Sequence, residues 1–173
     1  LMSASKDDSA RALADYLVST LPEHDAGRAR LLHWASLTHS IGEPGSARAR
    51  SLSEAALDAL AGTDAQLSAA IENEILGSQF EDLLQMPAGE ARTRQGASLM
   101  RACERLFQRD AQPAYLWNAL EVACRAPLES RDAFRLVQAL VDVQGVTHVS
   151  HRIRNEARFE TARQVLESSA TRN

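Results

Sequence analysis

Apolar positions recur at helical spacing along this chain, and Pro, Gly and capping residues cut the pattern into segments. The first runs from about Ser9 to Leu21, with Leu13, Tyr16, Leu17 and Leu21 on one stripe and Pro22 just past its end. Asp25 is placed to cap a second segment, which carries Leu31, Leu32, Trp34, Ala35 and Leu37 and closes before Gly42 and Pro44. Residues 42–49 read as the most loop-like stretch, because Gly, Pro and Ser crowd there. Ser51 and Glu54 match a capping box, which opens a short helix through Leu57 and Leu60 that Gly62 stops. Thr63 and Gln66 repeat the device ahead of a long helix burying Leu67, Ala70, Ile71, Ile75, Leu83 and Leu84, with Phe80 beside them. Gly77 weakens or kinks that helix, and Pro87 closes it.

Four more segments follow. Glu90 to about Gln108 buries Leu99, Met100, Cys103, Leu106 and Phe107. Pro113 to Arg125 buries Leu116, Trp117, Leu120 and Cys124, and Pro113 suits a first helical position, where its missing N–H costs nothing. Ser130 caps a strongly apolar segment with Phe134, Leu136, Val137, Leu140 and Val141, ended by Gly145. The last helix, from about Thr147 to Ser168, buries Val149, Ile153, Ala157, Val165 and Leu166. No strand alternation or Asn-Gly hairpin signal competes with these assignments. The expectation is an all-α fold: a compact helical bundle or a two-lobed helical array of seven or eight helices, forming one domain over residues 1–173. The first residues, Leu1 to Asp8, read as a trimmed start, so the domain is expected to be a piece of a longer protein.

Composition narrows the chemistry. Aromatic residues make up only 5% of the chain, so Ala and Leu must supply most of the packing. A net charge of -4 gives no broad footprint for nucleic acid or an anionic membrane, although a local basic patch stays open. No apolar run has the length of a membrane span, and the N-terminus carries no signal-peptide core. Of the 19 basic residues only Lys6 is a lysine. A GC-rich genome would produce that bias. So would work beside ubiquitin-transfer machinery, because ubiquitin attaches to lysine amines and not to guanidinium groups.

Reactive groups are scattered. Cys103 and Cys124 fall on apolar stripes, as buried reduced thiols do, and lack metal-ligand spacing. Arg101 and Arg105 flank Cys103 and Arg125 follows Cys124, which leaves a thioester-forming thiol as the alternative. His33 and His39 share a helix without i,i+4 spacing. His148 and His151 lie three apart with no matching ligand set, so no metal and no cofactor is expected. Acidic residues such as Glu72, Glu74, Glu81, Asp82 and Glu90 do acid–base work only where burial splits their pKa values. Phosphate-binding, dinucleotide, nucleophile-elbow and zinc-protease motifs are all missing.

Three resemblances bear on function. Trp117 and Glu121, in Trp117-Asn-Ala-Leu-Glu121, match the W-x-x-x-E signature of helical bacterial effectors that activate Rho-type GTPases; in those proteins the pair mainly holds the fold together. The stretch Leu13 to Asn73 resembles helical gatekeepers of bacterial type III secretion, in its leucine-rich first helix, in Asp25-Ala-Gly-Arg-Ala-Arg-Leu-Leu, and in the segment from Leu57 to Asn73. Where that family's segment ends in Gly-Leu-Asn, this chain reads Ile71-Glu72-Asn73. In size, all-α pattern, arginine-for-lysine bias and trimmed start, the chain is similar to the E3 ubiquitin ligase domain of plant-pathogen effectors of the XopL kind.

That last resemblance implies a protein-interaction domain of a virulence effector delivered by type III secretion into the host cytoplasm. If such a domain is an enzyme, it is an E3 ubiquitin-protein transferase that recruits a charged E2 and has no nucleophile of its own. The partner is then an E2 or another host protein, with no nucleic acid and no membrane involved. Met86, Pro87, Pro127 and Leu128 are the expected contact residues, since apolar loop positions are free of the core that occupies the helix stripes. A gatekeeper or adaptor without activity, a Rho GTPase exchange factor, and an ordinary cytoplasmic location are the alternatives.

Overall fold

A computed structural model describes residues 2–23, 27–41, 43, 46–126 and 128–170, with the backbone alone at 2–6, 165, 169 and 170. It is all-α, and no strand occurs among the described residues. The packing divides the chain into two compact units, Leu1–Glu81 and Asp82–Asn173.

In the first unit α1 (Met2–Thr20) and α2 (Arg28–Ser40) form an antiparallel hairpin. Arg11 of α1 donates to the carbonyl of Ile41, past the end of α2, while Arg28 at the start of α2 donates to the Leu21 carbonyl at 2.7 Å. Helix α3 (Ala47–Leu60) packs on α2, where the Ser36 and Ser53 hydroxyls meet at 2.6 Å. Ile71 of α4 (Ala65–Gln85) completes a core with Ala14, Leu32, Ala35, Leu52, Ala56 and Leu60. Alanine supplies half of this core, with Ala29 joining Ala14, Ala35 and Ala56. Helices separated by Ala and Ser approach closely, and close approach leaves room for few large side chains.

The second unit holds α5 (Glu90–Asp110), α6 (Pro113–Arg125), α7 (Ser130–Gln144), α8 (Val146–Asn155) and α9 (Glu160–Ala170). Helix α6 lies between α5 and α7, and α8 and α9 both pack on α7. Leu120, Leu136, Leu140, Val149, Ile153 and Phe159 are fully buried here. Pro113 does open α6, and the Gly145 φ of 83° ends α7.

Several local details depart from the sequence reading. Helix α1 begins before Ser9, and α3 starts at Ala47, which puts Ser51 and Glu54 inside the helix and leaves the capping box unformed. Asp64, not Thr63, caps α4: its carboxylate accepts from the Leu67 amide at 2.9 Å. Helix α4 runs unbroken through Gly77. The single last helix is two, because Glu156 adopts an extended conformation (φ -108°, ψ 112°) and a 3-10 turn at Ala157–Phe159 follows. That break turns Phe159 into the core, where none of its surface is exposed. Asp25, Gly42 and Pro44 lie outside the described residues, as does the Val165 side chain.

Leu13, Tyr16, Trp34, Leu37 and Phe134, expected on buried stripes, are 42–64% exposed. On α2 the buried arc is made by Ala29, Leu32, Ala35 and Ser36, so Trp34 and Leu37 face the other way. On α1 it is Ala14 that enters the core, with Val18 packed against it.

Candidate functional site

Two loops of the second unit carry the residues singled out as partner contacts, and one arginine ties them together. Arg92, in the first turn of α5, donates to the Met86 carbonyl at 3.1 Å and to the Arg125 carbonyl at 3.0 Å. The first bond holds the α4–α5 loop; the second holds the C-terminal end of α6, where the α6–α7 loop begins. Both carbonyls stand at helix ends, where backbone acceptors lose their helical donors, and a planar five-donor guanidinium can serve two of them at once.

The seam beneath them is tight. A Cβ on Gly96 would fall inside 3.0 Å of the Ala126 Cβ and would meet Leu83 Cδ2 at 3.7 Å and Leu128 Cδ2 at 3.8 Å. Gly96 therefore lets α5 and the end of α6 meet with Leu83 and Leu128 closed around the contact. Met86 and Leu128 are half-buried, and Pro87 is exposed; Pro127 lies outside the described residues.

A second cluster is organised around Trp117 and Glu121. The buried Trp117 indole donates to Gln144 Oε1 at 2.7 Å. Its ring stands 5.1 Å from that of Phe159, and the Arg152 guanidinium lies 4.3 Å from the Trp117 ring centre. Glu121 accepts from Arg158 at 2.6 Å, while Glu156 takes Arg152 at 2.5 Å and Arg158 at 2.6 Å. Burial works against the charge on Glu156, but the hydrogen bonds from Arg152 and Arg158 outweigh it and leave its pKa below the ordinary glutamate value. The Trp and Glu of the motif thus clamp α6 to α8 and to the 3-10 turn. Cation–π and ion-pair contacts, rather than exposure to a partner, account for both residues.

Neither cysteine is poised to react. Burial pushes the Cys103 thiol up to about 11, and it raises that of Cys124 as well. At pH 7 the Cys103 thiol is ionised about once in ten thousand molecules, and burial holds Cys124 protonated too, so the arginines near these residues do not make thiolates.

The histidines of α2 are paired with carboxylates instead of standing in solvent. His33 Nε2 lies 2.7 Å from Glu74, and His39 Nε2 lies 3.3 Å from Asp15. Asp15 also accepts from Arg48 at 2.7 Å, and that hydrogen bond, ahead of the charges of Arg48 and His39, lowers its pKa. His148 and His151 are exposed on α8. Among the described residues no group of three His, Cys, Asp or Glu side chains is placed to hold a metal ion.

A groove of about 310 Å³ runs along α2, α3 and α4 in the first unit. Its polar wall is self-satisfied: Ser36 bonds Ser53, and Arg50 donates to Ser78 at 3.0 and 2.8 Å.

The feature that periodicity alone missed is apolar exposure. Trp34, Leu37 and Ile41 are 42%, 42% and 55% exposed, and their i, i+3, i+7 spacing puts them on one face of α2 and its C-terminal cap. The signal was present in the sequence, since large apolar residues on α2 exceed what one buried arc can hold. Comparison with protein-family models, with curated proteins and with solved structures returned no match.

Proposed function

We propose that this chain is a protein-interaction domain of a secreted bacterial virulence effector acting in the host cytoplasm, and in its sharpest form an E3 ubiquitin ligase domain that recruits a charged E2. The observation that carries the interaction reading is the exposed Trp34–Leu37–Ile41 face. Contiguous large apolar side chains in water mark binding surfaces more often than chance exposure does. The E2 form rests on the resemblance to effector ligase domains and on the near-absence of lysine. Its contacts are Met86, Pro87 and Leu128, beside the carbonyls that Arg92 bonds, together with Pro127.

Such a domain works by proximity: it holds the E2 thioester near a substrate amine, and the reacting atoms belong to the E2 and the substrate. Two protonated thiols are compatible with that division of labour. The test is incubation with E1, a panel of E2s, ubiquitin and ATP. Ubiquitin chains are expected with at least one E2, reduced by Pro87→Asp or by Trp34→Ser with Ile41→Ser. No chains with any E2 would remove the ligase form. Retained apolar-dependent binding to a secretion component would then favour the adaptor reading.

A further inference from the structure

Helix α5 buries Gly96, Leu99, Met100, Cys103 and Leu106. At 100° per residue the direction opposite that face is occupied by Arg94, Arg101 and Arg105, which fall within about 40° of one another. All three are exposed, as are Ser98 between them and Arg109 one turn further on. The ridge from Arg94 to Arg105 is about 16 Å long at the helical rise.

Five other arginines of this unit stand against carboxylates: Arg131 with Glu129, Arg135 with Glu104 and Asp132, Arg152 with Glu156, Arg158 with Glu121 and Glu156, and Arg163 with Glu160; Arg92 bonds backbone carbonyls, and Arg125 and Arg154 are exposed singly. On the ridge the positive charges are aligned along one helix face. Arg94 has only a fully solvated partner, Glu90 at 3.6 Å. Around Arg105, positions i-4 and i+4 are Arg101 and Arg109, so like charges stack along one line. Glu104, the one carboxylate within a turn of Arg101 and Arg105, turns aside to Arg135 on α7. Like charges at i,i+4 oppose the helix. On a chain with net charge -4, Arg101 and Arg105 thus stand exposed one turn apart with no carboxylate partner among the described residues.

We infer that the α5 ridge is a docking surface for an acidic protein segment, one that presents carboxylates at the matching helical spacing of i, i+7 and i+11. Charge complementarity supplies the occupant. Guanidinium groups pair with carboxylates in a two-point geometry, and the fixed pitch of the ridge selects among acidic segments. The chain's overall acidity opposes the long-range approach of polyanions such as nucleic acid or a charged bilayer, while a short acidic segment sees mainly the local field. This inference does not depend on E2 recruitment.

The test uses the whole chain and a fluorescein-labelled 20-residue peptide with Glu at i, i+4, i+7 and i+11 in an Ala/Gln background. Anisotropy should report binding at low salt that weakens as salt rises. Arg101→Glu with Arg105→Glu should lower the affinity about tenfold or more, and Arg105→Glu alone should cost more than Arg154→Glu, which removes an exposed arginine of α8. Replacing both ridge residues by Lys keeps the charge and should recover only part of the binding. Circular dichroism of each variant is expected to match the parent. The inference is overturned by no peptide binding, by equal losses in Arg105→Glu and Arg154→Glu, or by tighter binding of a 20-base-pair duplex or phosphatidylserine vesicles than of the peptide.

Discussion

Two glycines lie inside helices, and adding one methyl group to each should move stability in opposite directions. Gly77 in α4 is exposed, and a Cβ there meets nothing within 4 Å. Gly77→Ala should therefore stabilise by about 0.5–1 kcal/mol, the helix-interior difference between the two residues. Gly96→Ala gains the same propensity but drives its new Cβ inside 3.0 Å of the Ala126 Cβ. Both carbons are fixed to backbone, so neither can rotate away, and Ala126 is wholly buried. Overpacking of that kind costs about 1–3 kcal/mol, which offsets the propensity gain and leaves a net destabilisation of up to about 2.5 kcal/mol. The shared propensity gain cancels, so the two variants should differ by the overpacking cost, about 1–3 kcal/mol. At about 2–4 °C per kcal/mol for a chain of this size, that is a difference of several degrees in melting temperature. Thermal and urea unfolding, followed by circular dichroism and by Trp117 fluorescence in a Trp34→Phe background, would measure it. Equal stabilisation by both substitutions would refute the close α5–α6 seam on which the loop geometry depends.

Removing the α4 cap by Asp64→Ala should cost about 1 kcal/mol in urea unfolding, the usual worth of a side-chain bond to an orphan amide, and Asp64→Ser should recover most of it. Glu156 has a lowered pKa in the folded chain, so its contribution is complete above the ordinary glutamate value and is lost as pH falls through the lowered one. Glu156→Gln should accordingly reduce stability at pH 7 and flatten its decline on the acid side; a decline as steep as the parent's would argue against the Arg152–Glu156–Arg158 network. Cys103, buried with its thiol pushed up to about 11, should react with a thiol reagent at pH 7.5 only as fast as the unit opens, and rapidly in denaturant. Stoichiometric labelling of the native chain within the mixing time would contradict its burial.

Helix existence was legible because Leu, Val and Ile spacing survives in a sequence with few competing turn signals. Boundaries and faces were less so, for identifiable reasons. A capping box needs its hydroxyl at a helix start, and the helix upstream of Ser51 begins four residues early. Asp64 outcompetes Thr63 because a carboxylate reaches the Leu67 amide, while the Thr63 hydroxyl turns back to the Leu60 carbonyl at 2.7 Å. The break at Glu156 carries no Pro or Gly, and it depends on tertiary contacts: Phe159 entering the core and two arginines meeting one carboxylate. Leu13, Trp34 and Leu37 read as inward on hydrophobicity, yet the buried arcs of α1 and α2 are filled by Ala14 and by Ala29, Leu32, Ala35 and Ser36, which leaves those larger groups outside. As for the site, the two loops were visible as apolar interruptions, but their union through Arg92 was not, since a side chain bonding a backbone carbonyl 33 residues away leaves no trace in spacing.

The double grip of Arg92 has a thermodynamic corollary. Loops that wander separately must each be stilled when something settles on them, and each pays in lost freedom at that moment. Here a single planar cation already bonds a carbonyl on each side, so a visitor touching Pro87 meets a loop tied through Arg92 to the end of α6, and less of that freedom is left to lose.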